Sequence, residues 1–551
     1  MTAEAEVDPG AQPDVATVLE AIAARQPDAE CLVAGGRRLT WADVTDRTRR
    51  LANHLVDHGL GCRAERSHLA LHESGQDHLA VYLRNGPEYL ECMLGAFKAR
   101  VAPLNVNYRY VADELRHLLV DSCAAAVVVH SCFAPTLAVV RADLPHLRMI
   151  LQVRDDSGHD LLPGARWYED ALAASSSERP PVGWNPDDLY VLYTGGTTGP
   201  PKGVLWRNGD ALVECFGGSP TATDVAGFVK EANVGFNALV TPPFMHGAGQ
   251  WVAFRIWLGG GRVFVGSRPE RLDPVDVWTT VEREGIDFLL IAGDAFAKPL
   301  LDELDRRRYD LSSLNVVMSG GAALSVAHKR ALLAHLPTVM IVDGLGSSEA
   351  GGQLAHVSTR SRVASGRFPL RPGNHVLSAT LERELVPGDD EVGWLAKSGR
   401  LALGYLGDAG ATASTFPVVG GRRYAVPGDR ARMQVGGEVE LCGRDAVTIV
   451  SGGEKVFAEE VEAAIKAHPA VYDCVVTGRP STRWGDEVVA VVHRRHGCDV
   501  GAPQLLAAAS RHLARFKLPK AIVFVDAIVR SPSGKADYRW AREVAAGSTR
   551  S

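Results

Sequence analysis

The stretch Tyr193–Val204 reads Tyr-Thr-Gly-Gly-Thr-Thr-Gly-Pro-Pro-Lys-Gly-Val, an order that no regular helix or strand accommodates. Its glycines free the backbone for positive φ and let N–H groups approach a ligand closely. Its threonines add hydroxyl donors, and Lys202 adds a positive charge. This combination suits a polyphosphate. The apolar run Leu189–Tyr193 predicts a buried strand that delivers the loop.

Two other interpretations fit this loop less well. The commoner phosphate loop requires Gly-Lys followed directly by Ser or Thr, whereas here two prolines precede Lys202 and Gly203 follows it. A flexible Gly/Thr linker is the second alternative, but linkers rarely carry Pro-Pro-Lys behind a strand. The loop therefore indicates a nucleotide site of another kind.

The size and charge of the chain limit the class of protein. A chain of 551 residues exceeds a single core, so two or more domains are expected. The net charge of −6 provides no basic field for nucleic acid. The nine cysteines are scattered singly, which is typical of a reducing compartment. No apolar run approaches the length that spans a bilayer, and Ala3–Pro13 carries no basic-then-apolar signal. We expect a cytoplasmic protein with no transmembrane segment and no nucleic-acid partner.

Short apolar runs alternate with helical stretches after the loop. Phe288–Ile291, Val316–Met318 and Val339–Val342 have strand length, and a Gly-rich turn follows each. This alternation predicts a large doubly wound α/β domain. Ligands of such folds lie beyond the carboxyl ends of the strands, where the turn Asp343–Glu349 falls.

A second structural unit is expected to begin near Cys442. Ser451–Lys455 is expected to turn into a helix that bears Val461 and Ile465. Three further runs are typical of strands: Val447–Val450, Val471–Val476 and Glu487–Val492. About a hundred residues suit one small α+β domain. We predict an N-terminal domain over residues 15–443 and a small mobile C-terminal domain over residues 444–551.

Three charged residues outside the loop suit nucleotide chemistry. Glu349 ends a Gly/Ser segment, where a carboxylate can hold Mg²⁺. Asp429 follows a Gly turn, where a carboxylate can accept both ribose hydroxyls. Lys535 lies close to the C-terminus, and an ammonium there could stabilise charge that builds on phosphate oxygens. Taken singly, Glu349 is also consistent with a surface residue, Asp429 with an ordinary turn residue, and Lys535 is typical of a solvated surface lysine.

The loop Tyr193–Val204 closely resembles the signature of the adenylate-forming superfamily, which includes acyl-CoA synthetases, adenylation domains and luciferases. Segments similar to the later signatures follow in family order, at Gly344–Gly351, Tyr424–Arg430 and Arg530–Lys535. Finer details, such as Ile449–Val456, resemble actinobacterial acyl-CoA synthetases for bulky or long carboxylates.

The resemblance implies a set of site residues. The catalytic residues are Lys535, Glu349, His246 and Thr198, and the Mg²⁺ ligands are Thr194 and Glu349. The ATP and AMP contacts are Thr194, Gly195, Gly196, Thr197, Thr198, Gly199, Lys202, Gly320, Gly321, Ala322, Asp343, Gly344, Leu345, Gly346, Ser347, Ser348, Asp429, Arg444 and Lys535. The acyl pocket comprises His246, Gly247, Trp251, Gly293 and Asp294, with Trp257 nearby. The CoA tunnel comprises Ser451, Gly452, Gly453, Glu454 and Lys455.

The resemblance further implies an ATP-dependent acyl-CoA ligase that uses ATP, Mg²⁺ and CoA and releases AMP and pyrophosphate. The acid could be a long-chain, steroid side-chain or polycyclic terpenoid acid. One alternative is a stand-alone acyl-AMP ligase that loads a carrier protein. Another is a non-catalytic nucleotide-binding module, which is favoured only by Leu345 and Ala446, where the family pattern has other residues. A homodimer is common among relatives, and the sequence leaves the oligomeric state of this chain open.

Overall fold

The computed structural model describes residues 13–194, 201–232, 235–364, 366–451, 454–481, 485–532 and 534–547. Its α-helices are α1 (Val15–Arg25), α2 (Trp41–Asp57), α3 (Pro87–Lys98), α4 (Ala112–Asp121), α5 (Ala134–Val140), α6 (Tyr168–Ala173), α7 (Asn208–Glu214), α8 (Val225–Glu231), α9 (Gly247–Leu258), α10 (Pro274–Glu284), α11 (Gly293–Arg306), α12 (Val326–His335), α13 (Ala409–Thr415), α14 (Ala458–Lys466), α15 (Ala502–Ala509) and α16 (Tyr538–Gly547).

The strands occur throughout the same ranges. They are β1 (Glu30–Ala34), β2 (Arg37–Thr40), β3 (His78–Tyr82), β4 (Ala102–Asn105), β5 (Ala124–His130), β6 (Met149–Val153), β7 (Arg166–Trp167), β8 (Leu189–Tyr193), β9 (Gly203–Arg207), β10 (Asn237–Val240), β11 (Arg262–Val265), β12 (Phe288–Ile291), β13 (Val316–Gly320), β14 (Met340–Ser347), β15 (Gly351–Ser358), β16 (Arg367–Pro369), β17 (Asn374–Leu377), β18 (Val392–Lys397), β19 (Gly404–Tyr405), β20 (Val418–Val419), β21 (Arg422–Arg423), β22 (Asp429–Met433), β23 (Glu438–Arg444), β24 (Thr448–Ser451), β25 (Glu454–Phe457), β26 (Val471–Ser481), β27 (Gly485–Arg494) and β28 (Ala521–Val525).

One eight-stranded sheet runs in the order β15-β14-β13-β12-β10-β11-β1-β2. Its inner strands pair in parallel, and only the edge strands β15 and β2 pair antiparallel. Parallel neighbours need crossover connections, which α10, α11 and α12 provide between β11 and β14. The carboxyl ends of β12, β13 and β14 therefore meet at one edge of the sheet.

A second eight-stranded sheet, in the order β19-β9-β8-β4-β3-β5-β6-β7, carries the phosphate loop. All residues of β8 are buried, as the apolar run predicted, because β8 lies between β4 and β9 and is covered on both faces. Helices such as α2 cover these sheets. Thr40 begins α2 with a capping box, and the stripe Val44, Leu51 and Leu55 is buried against the core.

A five-stranded antiparallel sheet, β16-β23-β22-β18-β17, follows in the chain. Its pairing places Asp429, the first residue of β22, directly opposite Arg444, the last residue of β23. The C-terminal unit has its own sheet, β25-β24-β27-β26, with β28 added in parallel to β27. Its separate core includes Val461 and Ile465 of α14. The large α/β part and the small α+β part were both predicted, whereas the division at 443/444 stays a prediction.

Two local expectations were wrong. Asp343–Glu349 was expected to be a turn, but β14 continues to Ser347 and pairs with β15. Strand pairing extends there because Gly346 lets the two backbones approach closely: a Cβ on it would lie 2.5 Å from the carbonyl oxygen of Gly351. Ser451–Lys455 does not turn directly into a helix, because β24 and β25 first form an antiparallel pair. Among the described residues, no helix has both the length and the apolar character needed to cross a bilayer.

Candidate active site

A cavity of about 1210 Å³ lies at the carboxyl ends of β8 and β12–β14 and extends to the C-terminal unit. Many of the predicted site residues line it: Thr194, Lys202, His246, Gly247, Trp251, Gly320, Gly321, Gly344, Leu345, Gly346, Ser347, Ser348, Glu349, Arg444 and Lys535. Segments that are more than 300 residues apart in the chain thus form one site.

The phosphate loop is anchored at both ends. The N–H of Thr194 donates to the carbonyl of Lys202 at 3.0 Å, and the N–H of Lys202 donates to Oγ1 of Thr194 at 3.4 Å. The predicted residues between them, Gly195, Gly196, Thr197, Thr198 and Gly199, lie outside the described residues. The antiparallel pairing of β8 with β9 therefore fixes where the loop leaves and rejoins the sheet.

Asn105 joins the strand before the loop to the segment that carries His246. Its Nδ2 donates to the carbonyls of Tyr193 (3.0 Å) and Met245 (2.7 Å), and its Oδ1 accepts from the N–H of Tyr193 (2.7 Å). Asn105 is buried at the end of the apolar strand β4. Sequence reasoning missed this residue, although a lone amide in an apolar strand was a signal that could have found it.

Lys202 has an acidic partner that was not predicted. Its Nζ lies 2.8 Å from Oδ2 of Asp408 and 5.4 Å from the ring centroid of Tyr405. The hydroxyl of Tyr405 in turn donates to Oε1 of Glu349 at 2.8 Å. The hydrogen bond from Lys202 lowers the pKa of Asp408, and burial, followed by the charge of Glu349, raises the pKa of Tyr405. Lys202 of the phosphate loop and Glu349, the predicted metal ligand, thus both contact Tyr405.

Asp343, which was predicted to contact the nucleotide, does not line the cavity. Its Oδ2 accepts from Nζ of Lys329 at 2.9 Å and lies 2.6 Å from Nε2 of His356. This buried cluster holds β14 against α12 and β15. Ala322 also lies outside the cavity lining, whereas Gly344 and Leu345 form its wall.

Asp429 and Arg444 form an ion pair across β22 and β23, with Nε of Arg444 3.0 Å from Oδ1 of Asp429. The other oxygen, Oδ2 of Asp429, is buried without a hydrogen-bond partner among the described residues. A buried acceptor without a partner is costly. Asp429 does not itself line the cavity, but its neighbours Pro427 and Gly428 do, so this oxygen lies next to the cavity wall, where a ligand hydroxyl would satisfy it.

Lys535 reaches the cavity because Gly534 docks against the large unit. Gly534 has φ +74°, and a Cβ on it would lie 2.8 Å from the carbonyl oxygen of Ala292. Burial and the charge of Arg444 lower the pKa of Lys535, whereas Glu349 opposes that shift. Within the C-terminal unit, Arg530 holds this segment through a 2.8 Å contact with Asp473.

His246 stands before the first turn of α9, on the cavity wall. Burial, followed by the charges of Lys535 and Arg109, lowers the pKa of His246 to about 3. The imidazole is therefore neutral at physiological pH. Its Nε2 is buried and has no hydrogen-bond partner among the described residues, which leaves it available to a ligand.

An apolar chamber continues from His246. Trp251 lines it, and its Nε1 donates to the hydroxyl of Tyr190 at 3.2 Å. The other apolar wall residues are Val213, Phe228, Phe236, Val252, Ile256, Leu258, Phe288, Leu290, Val316, Met318 and Val342. These side chains are suited to an apolar acyl group.

Other predicted pocket residues are placed elsewhere. Gly293 and Asp294 do not line the cavity, and Oδ1 of Asp294 lies 2.9 Å from Nδ1 of His328. Trp257 is fully buried in the core, where its Nε1 donates to the carbonyl of Cys31. The local sequence did not show which of these positions face the cavity and which are buried in the core or paired with other side chains.

The predicted CoA segment is also away from the cavity in this arrangement. Ser451 is buried at the end of β24, and Glu454 begins β25, but neither belongs to the lining. Gly452 and Gly453 lie outside the described residues, as does the side chain of Lys455. In this arrangement, Lys535 of the small unit lines the cavity, and the described residues of Ser451–Lys455 do not.

The residues that are present fit a nucleotide and a divalent cation. Oδ2 of Asp429 lacks a partner, Lys202, Arg444 and Lys535 supply positive charge, and the carboxylate of Glu349 and the hydroxyl of Thr194 are oxygen ligands. Oxygen donors are the ligands that Mg²⁺ prefers. Within the described ranges, no cluster of three or more His, Cys, Asp or Glu side chains is placed to hold a metal.

Comparison with protein families gives two matches. The model described as AMP-binding enzyme matches residues 19–406, and the model described as AMP-binding enzyme C-terminal domain matches residues 460–535. Together they cover both units of the fold.

Known proteins resemble the chain over nearly its whole length. The medium-chain acyl-CoA ligase Mig of Mycobacterium avium is 52% identical over 538 residues, which is 96% of this chain and 98% of that protein. A medium/long-chain-fatty-acid–CoA/3-oxocholest-4-en-26-oate–CoA ligase of Mycobacterium tuberculosis is 39% identical, over 94% of this chain and 93% of that protein. The crystal structure of the anthranilate CoA ligase AuaEII with anthranoyl-AMP shares the fold, with a TM-score of 0.81, 19% identity and 98% of each chain covered.

Proposed function

Because this chain belongs to the family of AMP-binding enzymes, we propose that it is an ATP-dependent acyl-CoA ligase for apolar carboxylic acids. It joins the acid to CoA and releases AMP and pyrophosphate. The observation that carries the proposal is the cavity itself: Thr194, Glu349 and Lys535 line the same space as an apolar chamber. A polyphosphate end and an acyl end in one cavity suit the activation of an apolar acid by ATP.

In the first half-reaction, a carboxylate oxygen of the acid attacks the α-phosphorus of ATP in line, and pyrophosphate leaves. Lys535 stabilises the negative charge that develops on the phosphate oxygens, and Lys202 holds the pyrophosphate. Oδ2 of Asp429 accepts a ribose hydroxyl. His246 is neutral, and its Nε2 can orient the carboxylate of the acid without adding charge.

Thr194 and Glu349 are the proposed Mg²⁺ ligands. When bound, the ion neutralises charge on the phosphate oxygens. Oε1 of Glu349 is held by Tyr405, and no described residue hydrogen-bonds its Oε2. Tyr405 therefore orients the carboxylate and leaves one oxygen for the metal.

The second half-reaction requires another arrangement of the small unit. The CoA thiol attacks the carbonyl carbon of the acyl-adenylate, and the bond from that carbon to the AMP oxygen breaks. Lys535 fills the cavity edge in the present arrangement, so we propose that rotation near Asp445 withdraws it and brings Ser451–Lys455 against the pantetheine. Such a rotation lets one cavity serve both reactions.

The chemical identity of the acid is proposed only as a class. The related proteins named above are described as ligases for medium-chain acids, long-chain acids or a steroid side-chain acid, and the apolar chamber suits any of them. The apolar chamber also suits a polycyclic terpenoid acid. A homodimer and a cytoplasmic location remain predictions.

A panel of carboxylic acids, assayed for AMP release with and without CoA, tests the proposal. We expect AMP release and a thioester product with ATP, CoA and at least one medium-chain, long-chain or steroid acid. A carrier protein that bears phosphopantetheine serves as the alternative acceptor. Thioester formed on the carrier but not on CoA would indicate an acyl-AMP ligase, and nucleotide binding without AMP release from any acid would contradict catalysis.

A further inference from the structure

The cavity follows one face of α9 away from the activating end. Gly247, Trp251 and Arg255 all line it, and their spacing of four residues keeps them on one face of the helix. Since an α-helix rises about 1.5 Å per residue, Arg255 lies about 12 Å along the helix axis from Gly247. The apolar wall thus leads from His246 to a guanidinium group.

A second arginine lines the same end of the cavity. Arg371 belongs to a turn in which the N–H of Asn374 donates to the carbonyl of Arg371 at 3.0 Å. Nδ2 of Asn374 also donates to the carbonyl of Gln353 at 3.1 Å, which fastens the turn to β15. Both arginines are exposed residues, but partial burial of the Arg255 guanidinium group, followed by the nearby charge of Arg371, lowers the pKa of Arg255. The two guanidinium groups therefore act on each other.

Neither arginine is neutralised within the described part of the chain. No hydrogen bond or ion pair joins the guanidinium group of Arg255 or Arg371 to another described residue. The nearby carboxylates have other partners: Glu214 pairs with Lys397, and Oε1 of Glu231 accepts from Oγ of Ser219 at 2.9 Å. Two like charges that lack an ion-pair partner among the described residues favour the binding of an anion.

Gln353 provides an independent indication of a ligand. Its side chain is buried, with 3% of the residue exposed, and it belongs to the cavity lining. Both Nε2 and Oε1 of Gln353 lack a hydrogen-bond partner among the described residues. Because an unpaired buried amide is costly, Gln353 is suited to a polar group that enters this end of the cavity.

We propose that Arg255, Arg371 and Gln353 form a subsite for a carboxylate at the far end of the acid substrate, so that the protein prefers α,ω-dicarboxylic acids to monocarboxylic acids of equal length. The inference rests on the proposed ligase function. One carboxylate is activated beside His246, the methylene chain lies along the apolar wall, and the other carboxylate accepts hydrogen bonds from the guanidinium groups. Guanidinium and carboxylate form strong, charge-assisted pairs.

The test compares dodecanoate, dodecanedioate and the monomethyl ester of dodecanedioate in the CoA-dependent release of AMP. For the unmodified protein, kcat/KM for the diacid should exceed that for the monoester about threefold or more, since two ion pairs at exposed guanidinium groups each contribute a modest factor. Arg255→Met and Arg371→Met should each lose that preference while retaining activity on dodecanoate. Arg330→Met, on the exposed surface of α12 and outside the cavity lining, is the matched control and should keep it.

Equal rates with diacid and monoester, or an equal loss on all three acids in the arginine variants, would overturn the subsite. Calorimetric titration of the unmodified protein and the two variants with the same acids is measured in parallel. Calorimetry detects binding at the arginines even if no acid supports AMP release. A lack of AMP release from every acid would contradict the ligase function and not the subsite. Binding of dodecanedioate that is as weak as that of dodecanoate would also overturn the subsite.

Discussion

The hydroxyl of Tyr405 donates a hydrogen bond of 2.8 Å to Oε1 of Glu349. Tyr405 lies on β19, which extends the sheet of the phosphate loop, whereas Glu349 follows β14 of the other eight-stranded sheet. One hydrogen bond therefore links the two sheets beside the cavity. Since Lys202 lies against the ring of Tyr405, this residue connects the loop cation with the proposed metal ligand.

Tyr405→Phe should weaken the use of Mg²⁺ while preserving the fold. Residues that orient a metal ligand typically contribute about 10-fold to 100-fold to metal affinity. We expect the Mg²⁺ concentration at half-maximal AMP release to rise about tenfold or more. Tyr309→Phe is the control, because Tyr309 donates a similar bond to Glu303 outside the cavity. An unchanged Mg²⁺ dependence would contradict the role of Tyr405.

Lys535→Ala should separate the two half-reactions. An ammonium that stabilises developing charge is worth about a hundredfold or more in rate, so AMP formation from acid and ATP should fall by that factor. Transfer of the acyl group from supplied acyl-adenylate to CoA should be retained. Rapid-quench measurement of both steps checks this, and an equal loss in both would show that Lys535 does not act on adenylation alone.

Gly534→Ala should have a similar effect through docking. The new Cβ would lie 2.8 Å from the carbonyl oxygen of Ala292, and the φ of +74° is unfavourable for alanine. Lys535 is then expected to be displaced, so adenylation should slow while transfer from acyl-adenylate continues. Gly547→Ala is the control, because a Cβ there meets no other atom within 4 Å. Adenylation at the normal rate in Gly534→Ala would contradict the docking contact.

Lys298 should make the docking of the small C-terminal unit against the large unit depend on pH. It is buried at 6% exposure, with Nζ 3.0 Å from the ring centroid of Tyr472 in the small unit. Burial lowers the pKa of Lys298 from 10.5 to about 7. Undocking exposes the amine and restores its ordinary pKa, so the undocked state binds more protons between these values. Docking should therefore strengthen as the pH rises through that window, and it should be weakest below about pH 7.

Fluorescence energy transfer between dyes on the two units, measured at about pH 6 and about pH 9.5, checks this expectation. Lys298→Met should abolish the pH dependence and favour docking at both values. Lys298→Arg, which stays charged, should also show no pH dependence but should disfavour docking. A pH dependence that survives in Lys298→Met would assign the effect to another group.

Asn105→Leu should destabilise the fold, because it leaves the N–H of Tyr193 and the carbonyls of Tyr193 and Met245 without their partner. An unsatisfied buried group costs about 1–3 kcal/mol, so the free energy of unfolding in urea should fall by at least about that amount. Asn107→Ala, which removes one local bond to the N–H of Arg109, should cost less. Equal costs would mean that the buried amide has no special role.

Several elements followed directly from local patterns. The strand Leu189–Tyr193, the strand Phe288–Ile291 and the helix that begins after Thr40 were predictable because each depends on a short run of apolar residues or on one capping residue. The extension of β14 through its glycines was not predictable, because it depends on the partner strand β15. The five-stranded antiparallel sheet was likewise not predicted from the sequence.

For the candidate site, the sequence by itself determined the chemical groups: a Gly/Thr loop with a lysine, a carboxylate at Glu349 and a lysine close to the C-terminus. Tertiary structure alone decided which groups meet. It buried Asp343 with Lys329, and it brought Arg255 and Arg371 to the same cavity. The physical reason is that backbone conformation depends on neighbours in the chain, whereas burial, ion pairing and cavity shape depend on packing between residues hundreds of positions apart.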